Sequence, residues 1–480
     1  MPEELIRLTA VEAVARLRKK EITPLDLIDA AAARIAFVEP LVNALPTLCL
    51  DRARDHAKRL MNTKPPAESE PGWLGGLPVA IKDLMDVAGV RTTYGSPIFA
   101  DHVPERSNPL VERIERRGGI VIAKSNTPEF GAGGNTFNEV FGRTLNPWNT
   151  SLTCGGSTGG GAVALATGEV WLAHGTDHGG SLRRPAAYNS VTGIRCSLGR
   201  ISRGTAGNLF GGLVVQGPMA RNIPDLALFL DTMAGFCEHD PLTFDAPAVS
   251  FSQAVAQPVA PKRVAFTADF GGSIPVDAET REICARAAQR FAELGATVEE
   301  ASPDFGDAGE VFLALRSQNF LVDREPLLEK YRDRIKPDLI WNIERGRKQS
   351  ASHIAWAERE RAALYRRMLA FFEKYDLLVS PCAATPAFDA NLRHPHTIAG
   401  KKLEHYMSAS MINSNITLTG RPSVAVPCGF DRYGRPIGLQ LTGRPRDEAG
   451  VLQAAALFEQ LSGLATQLPI DPRPGVVPPG

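Results

Sequence analysis

The sequence predicts an α/β fold with a mixed or parallel β-sheet. Short apolar runs recur along the chain, and stretches with helical periodicity lie between them. Turn-forming Gly and Pro are abundant, 44 and 36 residues, as many tight connections between such elements require. At roughly 150 residues per domain the 480 residues make about three units, yet α/β enzymes often run longer as one domain.

Taken in order, Leu8, Val11, Val14, Ala15 and Leu17 recur at helical spacing. Thr23-Pro24 opens a second helix, expected to reach Ile35, and 51–60 continues the helical pattern. Residues 63–75 read as a polar, Pro-rich loop. A buried strand is expected at 77–81, a helix at 109–116 stopped by Gly118-Gly119, and another strand at 119–124. Residues 143–220 carry little charge and are dominated by Gly, Ser, Thr and small apolar side chains. A helix follows at 225–236, and the stretch 250–261 resembles a linker. Then come a strand at 264–266, a helix at 277–294 and charged helices over 309–374. Strands are expected at 376–380, 423–426 and 439–441, and a helix at 446–462. The Pro-rich tail, 465–480, is expected to be loosely held. The linker-like stretch is the best candidate boundary, but strands lie on both sides, so one large domain with a helical insertion and two domains both stay open.

Lys plus Arg and Asp plus Glu each number 53, so the formal charge is zero. This argues against nucleic acid or a membrane surface as partner. With 44% hydrophobic residues the chain can bury a large core, which excludes disorder as its main state. The seven cysteines are scattered without a C-x-x-C pair, and no H-E-x-x-H occurs. Reduced thiols and a cytoplasmic protein are therefore expected. The N-terminus is a charged amphipathic stretch without a signal-peptide pattern. No window approaches the roughly 18 uncharged apolar residues of a membrane span.

Three features carry chemistry. Cys154-Gly-Gly-Ser157-Thr-Gly-Gly-Gly161 precedes an Ala-rich helix pattern. It lacks the Lys-Ser or Lys-Thr of a phosphate-binding P-loop. It matches the letters of the G-x-S-x-G nucleophile elbow, but the residues before it are loop-like rather than a strong strand. A serine cluster of another hydrolase class is the third reading. The second feature, Gly175-Thr-Asp-His-Gly-Gly-Ser181-Leu-Arg-Arg-Pro-Ala186, follows the apolar 170–173. A buried strand running into a Gly-Gly-Ser turn can aim consecutive amides at one spot, as an oxyanion hole requires, and Ser181 there could attack a carbonyl. The third is Lys82, at the end of the apolar run LPVAI. Burial would lower its pKa and free the neutral amine to act as a base.

Together these motifs resemble the amidase signature family. Gly155–Gly160 is similar to its GGSSGG, 175–186 to GTDxGGSIRxPA, and 77–83 to its G-x-P-x-x-x-K-D segment, and the spacing of the two serines agrees. Further matches run from Asp86–Ser96 through Lys124–Phe130, Asn146–Asn149 and Gly217–Arg221 to Gly434–Gln440, nearly the whole chain. The resemblance implies a single large domain, 1–480, with a central mixed β-sheet covered by helices on both faces. Its signature core would span about 75–230 and its helical insertion about 305–374. It also implies Ser181 as nucleophile, Ser157 in a cis peptide with Gly156 as proton relay, and Lys82 as base. The backbone amides of His178, Gly179, Gly180 and Ser181 would form the oxyanion hole, with Asp177, Arg183 and Thr158 in support. Neither metal nor cofactor is implied. His178 departs from the family's usual residue and is expected to pack or touch substrate. Cys154 departs too and is expected to be a small buried hydrophobe.

By the same resemblance the pocket would be lined by 130–137, by 311–321 and by Trp341, with Phe130, Gly131, Phe137, Phe320 and Trp341 as candidates. The aromatics point to an apolar or aromatic group on a small neutral amide, with carbamate (urethane) or ester cleavage as a further expectation. Substrate and water are the expected partners, and a homodimer stays open. The glutaminase subunit of a tRNA-dependent amidotransferase shares the signature, but 335–374 lacks that subunit's tyrosine-rich helix. A catalytically silent binding protein is disfavoured by the intact Lys82, Ser157 and Ser181. An α/β-hydrolase would depend on a histidine instead.

Overall fold

A computed structural model describes residues 2–63, 67, 70–204 and 207–478, so the expected loop at 63–75 lies partly outside the described residues. Eleven strands form one sheet. Across it run Thr47–Leu48, Ile120–Ser125, Pro78–Lys82, Leu172–Asp177, Val215–Ala220, Thr192–Arg195, Ser423–Phe430, Pro436–Thr442, Leu377–Pro381, Arg263–Phe266 and Thr297–Glu300. Strand Pro78–Lys82 is parallel to both its neighbours. The centre of the sheet is antiparallel, and its far edge is parallel again.

Alternation along the strands explains how both faces are covered. Leu377 and Val379 enter the larger core, while Leu378 enters a second core with helices Ala308–Tyr331, Ala351–Lys374 and Met411–Leu418. Successive strand side chains point to opposite faces, so each face needs its own layer of helices. Among the described residues no helix is long and apolar enough to cross a membrane.

Two local expectations are corrected. Helix Pro24–Val42 continues past Ile35 and through Pro40, because Ile35, Val38 and Val42 form one buried stripe; it stops at Asn43, which is left-handed. The linker-like 250–261 contains helix Phe251–Ala256, closed by a Ser250–Gln253 capping box. Asp231 accepts hydrogen bonds from the amides of Phe251 and Ser252, so no boundary falls there. The Gly- and Ser-rich region also holds two sheet strands, Thr192–Arg195 and Val215–Ala220.

The described part of the tail is anchored at several points. Leu468 and Ile470 are buried. The Ile470 amide donates to Ala166 O at 2.9 Å, and Arg34 pairs with Asp471 at 2.7 Å. Asn149 donates to Val476 O at 3.0 Å.

Candidate active site

Strands Pro78–Lys82 and Leu172–Asp177 are parallel neighbours, so their C-terminal ends deliver Lys82 and Asp177 to the same edge of the sheet. Helix Gly159–Thr167 begins there too, with Thr158 as its N-cap. Lys82 is fully buried. Its Nζ lies 2.7 Å from Ser157 Oγ, 3.0 Å from Thr158 Oγ1 and 2.9 Å from Thr176 Oγ1.

Burial holds the Lys82 amine well below the usual lysine pKa, and the Asp177 carboxylate opposes this only in part. The helix N-terminus at Thr158 adds positive potential in the same sense as burial. A neutral amine has two N–H donors and one lone pair. Three surrounding hydroxyls fit it if one of them donates to nitrogen, which is the arrangement a base needs before it takes a proton.

Ser181 sits in the turn that follows Asp177. The Asp177 carboxylate, fully buried, organises this turn. It accepts from the amides of Gly180 at 3.0 Å and Leu182 at 3.2 Å, and from Arg183 at 3.0 and 3.1 Å. Arg195 adds a contact at 3.2 Å. Burial alone would raise this carboxyl; Arg183 and Arg195 hold it well below the usual carboxylate range. Gly180 has φ +101°, and a Cβ there would meet the Asn413 side chain at 2.5 Å, so glycine is required. The Thr158 amide donates to Ser181 O at 3.2 Å, which joins the two serine segments. The Gly156–Ser157 peptide is cis.

One anion-hole candidate is corrected. The Gly180 amide is taken by Asp177, whereas those of His178, Gly179 and Ser181 have no backbone partner among the described residues. Arg183 ties the turn further, donating to Gln440 Oε1 at 2.9 Å and Thr417 Oγ1 at 3.1 Å.

Ser157, Ser181, His178, Phe130, Gly131 and Phe320 line one cavity of about 190 Å³. The His178 ring stacks on Phe320 at 5.9 Å and meets the edge of Phe312 at 5.7 Å. Burial, with Arg316 nearby, keeps the ring neutral. Its buried Nε2 has no hydrogen-bond partner among the described residues. Cys154 is fully buried, and burial pushes its thiol up to about 12, so it is unreactive.

Phe137 and Trp341 lie outside this cavity. Phe130 (φ 48°) and Gly131 (φ 70°) are left-handed and turn the chain away before Phe137, whose ring meets Arg143, Lys336 and Arg393 instead. Helix Pro337–Lys348 buries Leu339, Asn342 and Ile343; Trp341 lies off that face and packs on His405 and Tyr406. Sequence reasoning missed Thr176, Arg195, and the cavity residues Tyr94, Gln216 and Arg324, whereas Asn319 falls in the expected 311–321. Thr176 had a signal, since it precedes Asp177 on a strand ending at the site. Among the described residues no cluster of three His, Cys, Asp or Glu side chains is placed to hold a metal ion.

A family model described as Amidase matches residues 26–452. The chain belongs to the amidase signature family. An acylamidase of Rhodococcus erythropolis is 32% identical over 466 residues, covering 97% of each chain. A glutamyl-tRNA(Gln) amidotransferase subunit of Moorella thermoacetica is 33% identical over 484 residues, covering 95% of this chain and 97% of that one. Among solved structures, a bacterial aryl acylamidase of the amidase signature family superposes with a TM-score of 0.88 at 27% identity, covering 96% of this chain and 99% of that one. The chain is thus an amidase signature hydrolase, and its mixed sheet with helices on both faces is the fold of that family.

Proposed function

We propose that the protein is a freestanding serine amidohydrolase that cleaves the C–N bond of small linear amides. The observation that carries this reading is the contact of buried Lys82 with Ser157, beside Ser181 in one cavity. Lys82, neutral, accepts the Ser157 hydroxyl proton as Ser157 takes the proton of Ser181. Ser181 Oγ attacks the carbonyl, and amides of His178, Gly179 and Ser181 hold the oxyanion. The proton returns through Ser157 to the leaving nitrogen, the amine departs, and water cleaves the acyl-enzyme by the same relay. Leu84, Phe130 and Phe320 would seat an apolar or aromatic portion of the substrate. Carbamates and esters pass through the same tetrahedral geometry and are expected as side substrates.

The test is a hydrolysis panel of anilides, primary amides, hydrazides, carbamates and esters, run with the purified chain alone. Turnover that Ser181→Ala removes supports the reading, and turnover that survives in that variant refutes it.

A second reading is favoured by the amidotransferase subunits among the relatives, at 30–33% identity. In it the chain releases ammonia from glutamine only within a complex. Silence of the isolated chain across the panel, with glutaminase activity restored by a partner, would establish it.

A further inference from the structure

We propose that Arg324 binds a carboxylate carried by the substrate at a distance from the scissile bond. This rests on the amidohydrolase reading and replaces the neutral substrate expected from sequence with an anionic one. Arg324 comes from helix Ala308–Tyr331 and lines the same cavity as Ser181. Its guanidinium lies over the Phe130 ring, with Cζ 4.8 Å from the centroid. Nη1 donates to Asp323 O at 3.0 Å. Among the described residues Arg324 makes no other hydrogen bond and no ion pair, so most of its five N–H donors stay unused.

The other charged groups of the cavity are already engaged. Arg203 pairs with Asp240 and donates to the carbonyls of Asn208, Leu209 and Gly211. Asp86 accepts from Tyr94 Oη at 2.6 Å. Asp323 accepts from the Asn208 amide at 2.8 Å. Gln216 adds a second donor. Its Oε1 lies 2.8 Å from His174 Nε2, and burial lowers the His174 ring to about 3, so the ring stays neutral; with the ring proton on Nε2, Gln216 Oε1 accepts it and the buried Nδ1 keeps only its lone pair. In that tautomer the Gln216 amide lies on the cavity wall with its N–H groups unclaimed among the described residues. A planar fork with free donors, beside a fixed amide, matches the two oxygens of a carboxylate.

Two matched pairs test this: 4-acetamidobenzoate against 4-acetamidotoluene, and succinanilate against butyranilide. They place the charge on the amine side and on the acyl side of the scissile bond. In at least one pair the wild type should favour the acid, and Arg324→Gln should reduce the ratio of kcat/KM values about 10- to 100-fold, the range of a hydrogen bond to a charged group. Arg324→Lys should restore only part of it. Calorimetric binding of the same compounds to the Ser181→Ala protein gives a readout free of turnover. There the acid should bind at least about tenfold tighter than its neutral partner, and Arg324→Gln on that background should remove the difference. Equal binding, or a ratio that Arg324→Gln leaves unchanged, would overturn the proposal and leave the amidohydrolase reading standing. Selective binding without Ser181-dependent hydrolysis would support the carboxylate site and defeat the amidohydrolase reading.

Discussion

Lys82 Nζ lies 2.7 Å from Ser157 Oγ and, among the described residues, bonds only to hydroxyls. Lys124, on the neighbouring strand, is equally buried but sits 3.3 Å from Asp83 Oδ1. Burial lowers both lysines, but only Lys124 has a carboxylate in contact among the described residues. Asp83 compensates the charge of Lys124, which fastens the chain through Met85 O and Thr92. No carboxylate is bonded to Lys82, so its neutral form is favoured.

The pH dependence follows from that difference. In the proposed mechanism the neutral amine is the active form, and its pKa in the folded protein is well below the usual lysine value. The kcat/KM of the free enzyme should therefore rise with pH through that lowered pKa and level off above it. Lys82→Met should lose this limb, with a rate loss on the order of 10²- to 10⁴-fold. A profile that first rises near the free lysine value of about 10.4, or a variant with the wild-type rate, would place the base elsewhere.

Asp177→Asn should destabilise the fold, because it leaves Arg183 and Arg195 buried without their anion. Breaking a buried pair costs about 3–5 kcal/mol, read as a fall in the urea midpoint at constant m. The native carboxyl is held below its unfolded value of about 3.9. Its contribution is complete above that pH and is lost as pH falls toward the native value. The difference between wild type and variant should stay flat over about pH 5–8 and shrink only in acid. A difference below about 1 kcal/mol at neutral pH would contradict the role given to Asp177.

Gly180→Ala should lower kcat/KM by at least about tenfold, since φ +101° and the 2.5 Å approach to Asn413 both exclude a side chain beside Ser181, the proposed nucleophile. Wild-type kinetics in a folded Gly180→Ala protein would show that the turn has more freedom than its geometry implies.

The site was legible where short-range patterns report chemistry. Glycines around Ser157 and Ser181 and an apolar run ending in Lys82 are local signals, and the structure brings all three residues together. The helix expected at 109–116 is Pro109–Arg116, where Asn108, Pro109 and Gly118 mark both ends. The cavity wall was less legible, because Tyr94, Gln216 and Arg324 come from three distant segments that meet only in the fold. Phe137 and Trp341 show the converse. Aromatic character and nearness in sequence to site residues do not report direction, and a left-handed turn or an offset of two on a helix aims the ring elsewhere. Pro40 stayed in its helix, and the tail packed down, because tertiary burial outweighed local preference.

The most direct test of the mechanism is to trap and map the acyl-enzyme. The purified chain would be acid-quenched during turnover of an activated aryl ester, weighed intact and mapped by peptide mass spectrometry. The expected result is one added acyl group on Ser181, absent from Ser181→Ala and formed far more slowly in Lys82→Met. An acyl group on another residue, or turnover of the ester with no adduct under any quench, would contradict Ser181 as the nucleophile.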